Sequence, residues 1–438
     1  MLDTLIGVEI CTTRISHGRN PDAPVGLRII RHILQESHPR LAERFGVCHD
    51  VDVADLNHVL GVEKLSDHEL VFKRQAARLA HRSHQHLLFD FVEFHSMFRL
   101  VFHPPVVRLI IGGVFEMETR QLGGLWPVSA LTLGGGGVGQ LWGETTRDES
   151  VATVRGAVDS GITLLDMAPR YGDGEAELVI GEAFDGKLPD GVRVTTKHRL
   201  GTPAPGEVED NLISSLEESL ERMRLDRVDL FFLHSNIIPD DYDASAYTDR
   251  PATRWKIYAE QFVPACEKLQ AQGRIGAWGI TGIGIPTCIL EALDQDQKPA
   301  AVQCITNLLD SPGDLQYFDG PSRARDIIAK TNNAGAGVLG IRPVQGGALT
   351  DAIDRDLPPG HGVVTDYEKA AAFRALASEL GGSPAALAHR YALAMEGVDT
   401  VVLGCKNREE LNKCIVSEAA GPLNKETIAR IDASASGT

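Results

Sequence analysis

The chain has 438 residues, a hydrophobic fraction of 43% and a formal net charge of -17. This composition is typical of a globular protein, and the acidic balance argues against a nucleic-acid partner, because phosphate binding requires a basic face. The seven cysteines are scattered without a CxxC pair, so neither a disulfide framework nor a zinc site is predicted.

Two further features bear on location. The most apolar run, 101–115, is interrupted by His103, two prolines and Arg108. It falls short of the ~20 apolar residues that a membrane span needs. The first residues lack the basic segment of a signal peptide, so we expect a cytoplasmic protein without membrane insertion.

Residues 1–116 differ in character from the rest of the chain and contain eleven of the fifteen histidines. Only His81, His84 and His86 form a cluster, and no second cluster has ligand spacing, so no metal site is predicted. Periodicity is weak and no repeat is present. We expect an N-terminal extension that is poorly ordered or precedes the true start, with a regulatory domain as the alternative.

From Met117 onward, strand and helix patterns alternate. Eight strands are predicted, at 131–133, 162–166, 192–197, 228–233, 275–280, 301–305, 338–341 and 400–403. Helices are predicted at 148–160, 175–184, 208–223, 259–272, 321–331, 366–380, 384–394 and 408–416. Eight strands that each precede a helix predict a (β/α)8 barrel over residues 117–438.

An open doubly wound sheet is the competing architecture. It would need a glycine-rich turn that opens the first helix directly. The run 134–139 has suitable glycines, but the first helix is predicted to begin only at Asp148. We therefore expect these glycines, Gly135 among them, to let the backbone approach a ligand at the barrel mouth.

Four polar residues lie at or just beyond the ends of consecutive predicted strands: Asp166, Tyr171, Lys197 and His234. The carboxyl ends of barrel strands face the active site. An acid beside Lys197 would offset the cost of burying the lysine, and the ammonium would lower the pKa of the phenol. This combination suits proton transfer to a carbonyl group undergoing reduction.

Each residue also has a structural interpretation. Asp166 would cap the following loop, Tyr171 would pack as an aromatic, Lys197 would point to solvent, and His234 would be a core histidine. The coincidence of all four on consecutive strands favours the catalytic interpretation.

With these residues in place, the sequence from Met117 to the C-terminus resembles the aldo-keto reductases. The similarity rests on the tetrad, with its D-x4-Y spacing between Asp166 and Tyr171. Further matching segments are 120–123, 276–280, Gln303 with Asn307, 343–347 and 404–411.

The resemblance implies specific roles. Tyr171 would donate the proton, Lys197 held by Asp166 would depress the tyrosine pKa, and His234 would orient the carbonyl. Hydride would come from NADPH, with NADH as a possible substitute. The implied cofactor contacts are Gln303 at the carboxamide, Gly404 and Lys406 on the phosphate side, with Lys406 at the 2′-phosphate, and Glu410 near the adenine.

Three positions depart from the common family pattern. Thr281-Gly282 replaces Ser-Asn, and Thr281 supplies only the hydroxyl. Ile341 stands where an aromatic residue often stacks on the nicotinamide, and the following Arg342 is a candidate contact to phosphate or substrate. Cys414 replaces an adenine-contacting Asn. These changes leave the choice between NADP and NAD open.

The resemblance implies interconversion of an aldehyde, ketone or aldose with an alcohol. A Schiff-base lyase that uses Lys197 and a non-catalytic NADPH-binding relative are the alternatives. Specificity would lie in loops that include Trp142 and the insert 236–258, whose aspartates predict a solvated flap. The substrate, the direction of reaction and the oligomeric state stay open.

Overall fold

The fold is described from a computed structural model that covers residues 117–204, 206–245 and 251–435. The predicted N-terminal extension, with its histidine cluster, lies outside the described residues.

The strands follow the predicted alternation and add two short pairs. In chain order they are β1 (Thr119–Gln121), β2 (Pro127–Ser129), β3 (Leu131–Gly134), β4 (Leu164–Asp166), β5 (Arg193–His198), β6 (Val228–Leu233), β7 (Asn236–Ile238), β8 (Ala252–Arg254), β9 (Ile275–Thr281), β10 (Ala301–Ile305), β11 (Gly337–Ile341) and β12 (Thr400–Leu403).

The α-helices lie mainly between the barrel strands. They are α1 (Gly135–Val138), α2 (Arg147–Asp159), α3 (Glu175–Phe184), α4 (Val208–Met223), α5 (Trp255–Ile257), α6 (Val263–Ala271), α7 (Pro286–Ala292), α8 (Ala324–Asn333), α9 (Gly362–Lys369), α10 (Ala371–Glu379), α11 (Pro384–Ala394), α12 (Arg408–Ala419) and α13 (Lys425–Ala435). A π-helical turn, Tyr258–Phe262, joins α5 to α6, and 3₁₀ turns occur at Gly313–Leu315 and Gln345–Gly347.

Eight parallel strands close into a barrel in the order β10, β11, β12, β3, β4, β5, β6, β9. Closure joins the last barrel strand to the first, with Leu403 opposite Leu133. The predicted (β/α)8 barrel and all eight of its strands are confirmed.

The β1–β2 hairpin lies at the amino-terminal end of the barrel. Its Leu122 and Val128 are buried in one cluster with Leu164 and Phe232 from the barrel strands. Gly124 donates its backbone N–H to the carbonyl of Gly335, just before β11 begins. The hairpin therefore covers the end of the barrel opposite the carboxyl ends of the strands.

The helices pack around the outside of the barrel through apolar stripes. In α4, the buried side chains Leu212, Leu216, Leu220 and Met223 recur at helical spacing. Nearby polar side chains cap some of the helices. At the start of α11, for example, the Ser383 side chain accepts a hydrogen bond from the Ala386 N–H. Predicted bounds for α3, α4 and α11 are confirmed.

Other helix predictions need correction. The segment predicted as one helix over 366–380 forms α9 and α10, because the backbone at Ala370 leaves helical geometry. The predicted helix 259–272 is interrupted by the π-helical turn, which carries one extra residue per turn. Helix α13 was not predicted at all, because only Ile431 on it is buried and its apolar pattern is weak.

The first helix begins earlier than the sequence predicted. Helix α1 starts immediately after β3 and is built from glycines packed against other backbone. A Cβ atom at Gly137 would lie 1.9 Å from the Cys405 carbonyl oxygen, and one at Gly139 would lie 2.6 Å from that of Tyr171. At Gly137 and Gly139 the close approach that requires glycine is therefore made by the protein's own chain. The approach of this run to a ligand, at Gly135 among others, stays a prediction.

Candidate active site

The centre of the candidate site is a buried ion pair between neighbouring barrel strands. Asp166 ends β4 and Lys197 lies near the end of β5, so both side chains reach the carboxyl-terminal mouth of the barrel. The Lys197 Nζ is 2.9 Å from Asp166 Oδ2 and donates to the Met167 carbonyl at 2.8 Å. Because both side chains are buried, each charge depends on the other for compensation.

Two neutral donors complete the shell of Asp166. The Thr195 hydroxyl donates to Asp166 Oδ1 at 2.6 Å, and Gln303 Nε2 donates to the same oxygen at 2.8 Å. The carboxylate therefore accepts from a lysine, a hydroxyl and an amide. This fixes its orientation and holds Lys197 in one place.

Tyr171 reaches the ion pair from the loop between β4 and α3. The Lys197 ammonium lies 4.6 Å from the centroid of the Tyr171 ring. The ring of His234, which directly follows β6, meets the Tyr171 ring edge-on, with centroids 5.8 Å apart and an interplanar angle of 86°. All four residues predicted as catalytic thus lie together at one end of the barrel.

The pKa of Tyr171 differs from the prediction. Burial raises the pKa of Tyr171, and the opposing effect of Lys197 only reduces the shift. The prediction of a tyrosine pKa below its ordinary value was therefore wrong in sign, because burial outweighs the ammonium. At neutral pH the phenol keeps its proton.

The lysine carries a positive charge. Burial alone would lower the pKa of Lys197, but Asp166 and Tyr171 together outweigh it, so that pKa is raised. A Schiff-base lysine needs a lowered pKa to present a free amine. The ion pair with Asp166 therefore counts against the lyase alternative.

The tyrosine loop is fixed at its far end by two ion pairs from outer helices. Arg147 at the start of α2 donates to Glu175 at 2.6 Å. Two residues further along α3, the fully buried Glu177 accepts from Arg222 at 2.7 Å and from the Thr196 hydroxyl. The loop is thus held between helices α2, α3 and α4.

His198, next to Lys197, makes the stability of the fold sensitive to mild acid. Burial lowers the pKa of His198 from 6.5 to about 4. Between these values the unfolded chain binds the proton and the folded chain does not, so stability falls as the pH drops from 6.5 towards 4. The backbone carbonyl of His198 accepts from the His234 N–H at 2.7 Å, which places it beside the site.

We expect His198→Gln to lessen this acid sensitivity. Urea unfolding at pH 7 and pH 5 would measure the free energy of unfolding of both proteins. The difference between the two pH values should be smaller in the variant than in the parent protein. His361→Gln, which alters a histidine that caps α9, serves as the control. An unchanged pH dependence in His198→Gln would contradict the assignment.

The residues predicted on the phosphate side, Gly404 and Lys406, and the one predicted near the adenine, Glu410, lie after β12. Gly404 is exposed at the mouth, and a Cβ there would meet Trp142 Nε1 at 3.4 Å. Lys406 Nζ lies 2.8 Å from Asp354 Oδ2 and 3.4 Å from Glu410 Oε1. Glu410 also accepts from the Lys406 backbone N–H at 2.8 Å. Lys406 and Glu410 are therefore partners of each other.

The remaining predicted contacts are engaged within the protein. The Thr281 hydroxyl donates to the Leu233 carbonyl at 3.1 Å, which ties the end of β9 to β6. Arg342 donates to Gln345 at 2.7 Å and to Asp314 at 2.8 Å. Its backbone φ of 58° and the 48° of Gln345 put both in the left-handed region, so the turn after β11 is strained.

The insert 236–258 is less solvated than predicted. Strands β7 and β8 pair in parallel at its two ends, and Ile237, Ile238 and Thr253 are fully buried. Arg254 donates to the carbonyls of residues 239, 240 and 242 and so closes the exposed part. Among the described residues of the insert, the exposed aspartates are Asp240, Asp241 and Asp243, so the prediction of a solvated flap applies to that part; Asp249 lies outside the described residues.

Comparison with known proteins identifies the family to which the chain belongs. The model of the aldo/keto reductase family matches residues 130–436. The chain belongs to the aldo-keto reductase family. As a member, it is an oxidoreductase, and its family uses nicotinamide cofactors.

Two relatives of this aldo-keto reductase have names that specify a sugar substrate. L-galactose dehydrogenase of Arabidopsis thaliana is 26% identical over 329 residues, which cover 73% of this chain and 94% of that protein. D-threo-aldose 1-dehydrogenase of a Pseudomonas species is 28% identical over 249 residues, with coverage of 51% and 68%.

Solved structures agree in fold. An aldo-keto reductase from Bacillus halodurans in its holo form aligns with a TM-score of 0.56 and 23% identity, covering 73% of this chain and 96% of that one. An aldo-keto reductase from Klebsiella pneumoniae in complex with NADPH aligns with a TM-score of 0.51 and 22% identity, covering 72% and 94%.

The sequence of this aldo-keto reductase did not predict two residues of the site, Thr195 and Asp354, and one contact of Gln303. Thr195 was detectable, since it lies two residues before Lys197 on β5 and so faces the same side. Asp354, the partner of Lys406, had no such signal because 52 residues separate them. Gln303 was assigned to the cofactor alone, and its bond to Asp166 was missed.

The described part of this aldo-keto reductase contains neither a candidate metal site nor a candidate membrane span. Within 117–204, 206–245 and 251–435, no group of three or more His, Cys, Asp or Glu side chains is placed to hold a metal ion. Among the helices of those same ranges, none has the length and apolar character required to cross a bilayer.

Proposed function

We propose that the protein interconverts a carbonyl compound and an alcohol with NADPH, and that Tyr171 is the general acid and base. The observation that carries the proposal is the cluster at the barrel mouth, in which a phenol, a buried ammonium with its carboxylate, and an imidazole converge. In a barrel enzyme this end is where chemistry takes place.

Each side chain has a step that its environment supports. Tyr171 is protonated at neutral pH and gives its proton to the carbonyl oxygen. The Lys197 ammonium, which lies 4.6 Å from the centroid of the Tyr171 ring, stabilises the phenolate that remains. Asp166 keeps Lys197 charged and in place, and His234 is placed beside Tyr171 to donate a hydrogen bond to the same oxygen. Alcohol oxidation reverses these proton transfers.

The mouth of the barrel fits a nicotinamide cofactor in several respects. When bound, the cofactor supplies or accepts the hydride. Gly404 presents an exposed, side-chain-free backbone beside Trp142, and Lys406 supplies a cation near the start of α12. Gly135 lies against Tyr171, and Gln303 and Thr281 lie at neighbouring strand ends. We assign the phosphate side to Gly404 and Lys406, the adenine side to Glu410, and the nicotinamide side to Gln303 and Thr281, with Arg342 as a further cation.

The substrate class proposed is an aldose or a small aldehyde or ketone. Support comes from the two relatives whose names specify sugar dehydrogenases, and from a half-buried site lined by polar groups. Polar donors suit a substrate with several hydroxyl groups.

The test is a turnover screen of the full chain. Aldoses with NADP+ or NAD+, and aldehydes and ketones with NADPH or NADH, would be followed by cofactor absorbance. We expect turnover with members of at least one class and a higher kcat/KM with the phosphorylated cofactor. Tight NADPH binding without turnover of any of these compounds would overturn the enzymatic proposal and favour the non-catalytic alternative.

Lys406→Ala is expected to weaken binding of NADPH by about tenfold or more while affecting NADH less, because only NADPH has a 2′-phosphate for the ammonium. Fluorescence titration with each cofactor measures both dissociation constants. Lys413→Ala is the matched control, since Lys413 lies on α12, which begins two residues after Lys406, and pairs only with the exposed Glu409 among the contacts described. Equal losses for the two cofactors would refute the role of Lys406.

Schiff-base chemistry at Lys197 makes a different prediction. Borohydride added with a carbonyl substrate would trap a covalent adduct on the lysine. We expect no adduct, because the ion pair keeps Lys197 protonated.

A further inference from the structure

A buried cluster of two cysteines and a histidine lies behind the proposed phosphate side of the site. Cys405 stands between Gly404 and Lys406, and Cys414 lies on α12. Their sulfur atoms are 3.7 Å apart, and both residues are buried. The distance is that of a reduced pair in contact, since a disulfide bond is ~2.0 Å long.

The histidine is oriented to act as a base towards Cys414. His389 Nδ1 lies 2.8 Å from the Ala385 carbonyl oxygen, which can only accept, so Nδ1 carries the hydrogen. The other ring nitrogen, Nε2, faces Cys414 Sγ at 3.8 Å. It is therefore placed to take the thiol proton and to leave a thiolate beside an imidazolium.

We propose that Cys405 and Cys414 form a reversible disulfide on reaction with a hydroperoxide, and that this bond weakens cofactor binding. The second half of the proposal rests on the proposed function, because it needs the cofactor to lie against residues 404–406. Formation of the disulfide itself does not depend on it.

The chemistry balances with the hydroperoxide as the oxidant. The Cys414 thiolate attacks one peroxide oxygen, the O–O bond breaks, and His389 returns its proton to the departing oxygen, which leaves as an alcohol or as water. Cys414 is then a sulfenic acid. The Cys405 thiol attacks that sulfur, the S–O bond breaks, and the hydroxyl leaves with the thiol proton as water. Two thiols are oxidised and one peroxide is reduced.

The local electrostatics support this order of events. The hydrogen bond from the Cys405 thiol, with His389 acting in the same direction, lowers the pKa of Cys414 well below its ordinary value. Hydrogen bonding to Cys414 and burial raise the pKa of Cys405. The more acidic thiol is the one that reacts with peroxide, and the other resolves the sulfenic acid.

Disulfide formation must displace backbone that belongs to the proposed cofactor site. The sulfurs have to move closer by more than a third of their present separation. Cys405 has little freedom, since its carbonyl oxygen packs directly on Gly137 of α1. The neighbouring Lys406 is tied to Glu410 on α12 through its backbone N–H. A shift of Cys405 therefore moves Gly404 and Lys406, the groups assigned to the phosphate side.

The first test is mass spectrometry of the full chain treated with hydrogen peroxide. We expect the intact mass to fall by two hydrogens and non-reducing peptide mapping to link Cys405 to Cys414, with full reversal by dithiothreitol. Cys405→Ser should prevent the link and leave Cys414 oxidised to sulfenic acid. Cys288→Ser, which removes another buried thiol on α7, is the matched control and should form the link as the parent does. Absence of the link in the parent protein would overturn the proposal.

The second test is NADPH titration of reduced and oxidised protein. We expect NADPH to bind about tenfold more weakly to the oxidised form, with the reduced affinity restored by dithiothreitol. A disulfide that leaves NADPH affinity unchanged would overturn the coupling. Reduced protein that binds no NADPH would instead overturn the proposed function, while the mass measurement would still decide the disulfide.

Discussion

Tyr171→Phe is expected to lose carbonyl reduction by about 10²–10⁴-fold in kcat, the usual contribution of a positioned general acid or base. The variant removes only the hydroxyl that donates the proton. The ring and its edge contact with His234 persist, as does the ring face near the Lys197 ammonium. NADPH affinity should therefore change little. Steady-state rates with the best substrate from the turnover screen and NADPH titration would measure the two quantities separately.

Tyr258→Phe provides a matched control for this variant. Tyr258 is fully buried in the π-helical turn, and its hydroxyl makes no hydrogen bond within the described part of the chain. Removing that hydroxyl should leave turnover unchanged and cost no stability, because no buried partner is left unsatisfied. Full activity in Tyr171→Phe would mean that another group supplies the proton, and the assignment of the general acid would fall.

Asp166→Asn is expected to have the largest effect on stability. It leaves the Lys197 ammonium buried without its carboxylate, and breaking a buried pair in this way costs about 3–5 kcal/mol. Asp185→Asn is the control, since Asp185 pairs with Arg224 where both side chains are largely exposed. That variant should lose less than about 1 kcal/mol. Urea unfolding at pH 7 would measure both, and similar losses would contradict a structural role for the buried pair.

The pH dependence of stability distinguishes the parent protein from Asp166→Asn. In the parent the pKa of Lys197 is raised, so its contribution is complete below the unfolded value of about 10.4 and is lost as the pH rises through the folded value. In the variant, burial without an anion should lower the pKa of Lys197. The unfolded chain then binds more protons, and stability should rise from neutral pH towards about 10. A falling slope in both proteins would refute this account.

The barrel was predictable because its signals are local. Most of the eight strands are short apolar runs, and the predicted bounds of α3, α4 and α11 match those of the structure. The hairpin β1–β2 and the pair β7–β8 were missed because one short strand of each pair, β1 and β8, carries no apolar run. Helix α13 was missed for a related reason, since it buries little of its surface.

The catalytic residues of the candidate site could be predicted from the sequence, but the pKa shift of Tyr171 and the ion pair of Lys406 could not. Strand ends identify Asp166, Lys197 and His234, because parallel strands present their carboxyl ends at one face. Whether the pKa of Tyr171 is raised or lowered could not be predicted from the sequence, since the shift depends on a balance between burial and the neighbouring charges. The pairing of Lys406 with Asp354 depends on a long loop whose course the sequence does not specify.

The packing of helix α1 determines how well substitutions are tolerated in this part of the protein. It contributes three glycines and a valine at the seam where the first and last strands meet, and a single added methyl at Gly137 would collide with main chain. Such a collision cannot be relieved by rotating a side chain. A systematic mutational scan should therefore find one of its least tolerant stretches in α1, whose own residues carry no reactive group. Intolerance there would report on the fit of the barrel's two ends, and interpreting it as chemistry would misplace the active centre.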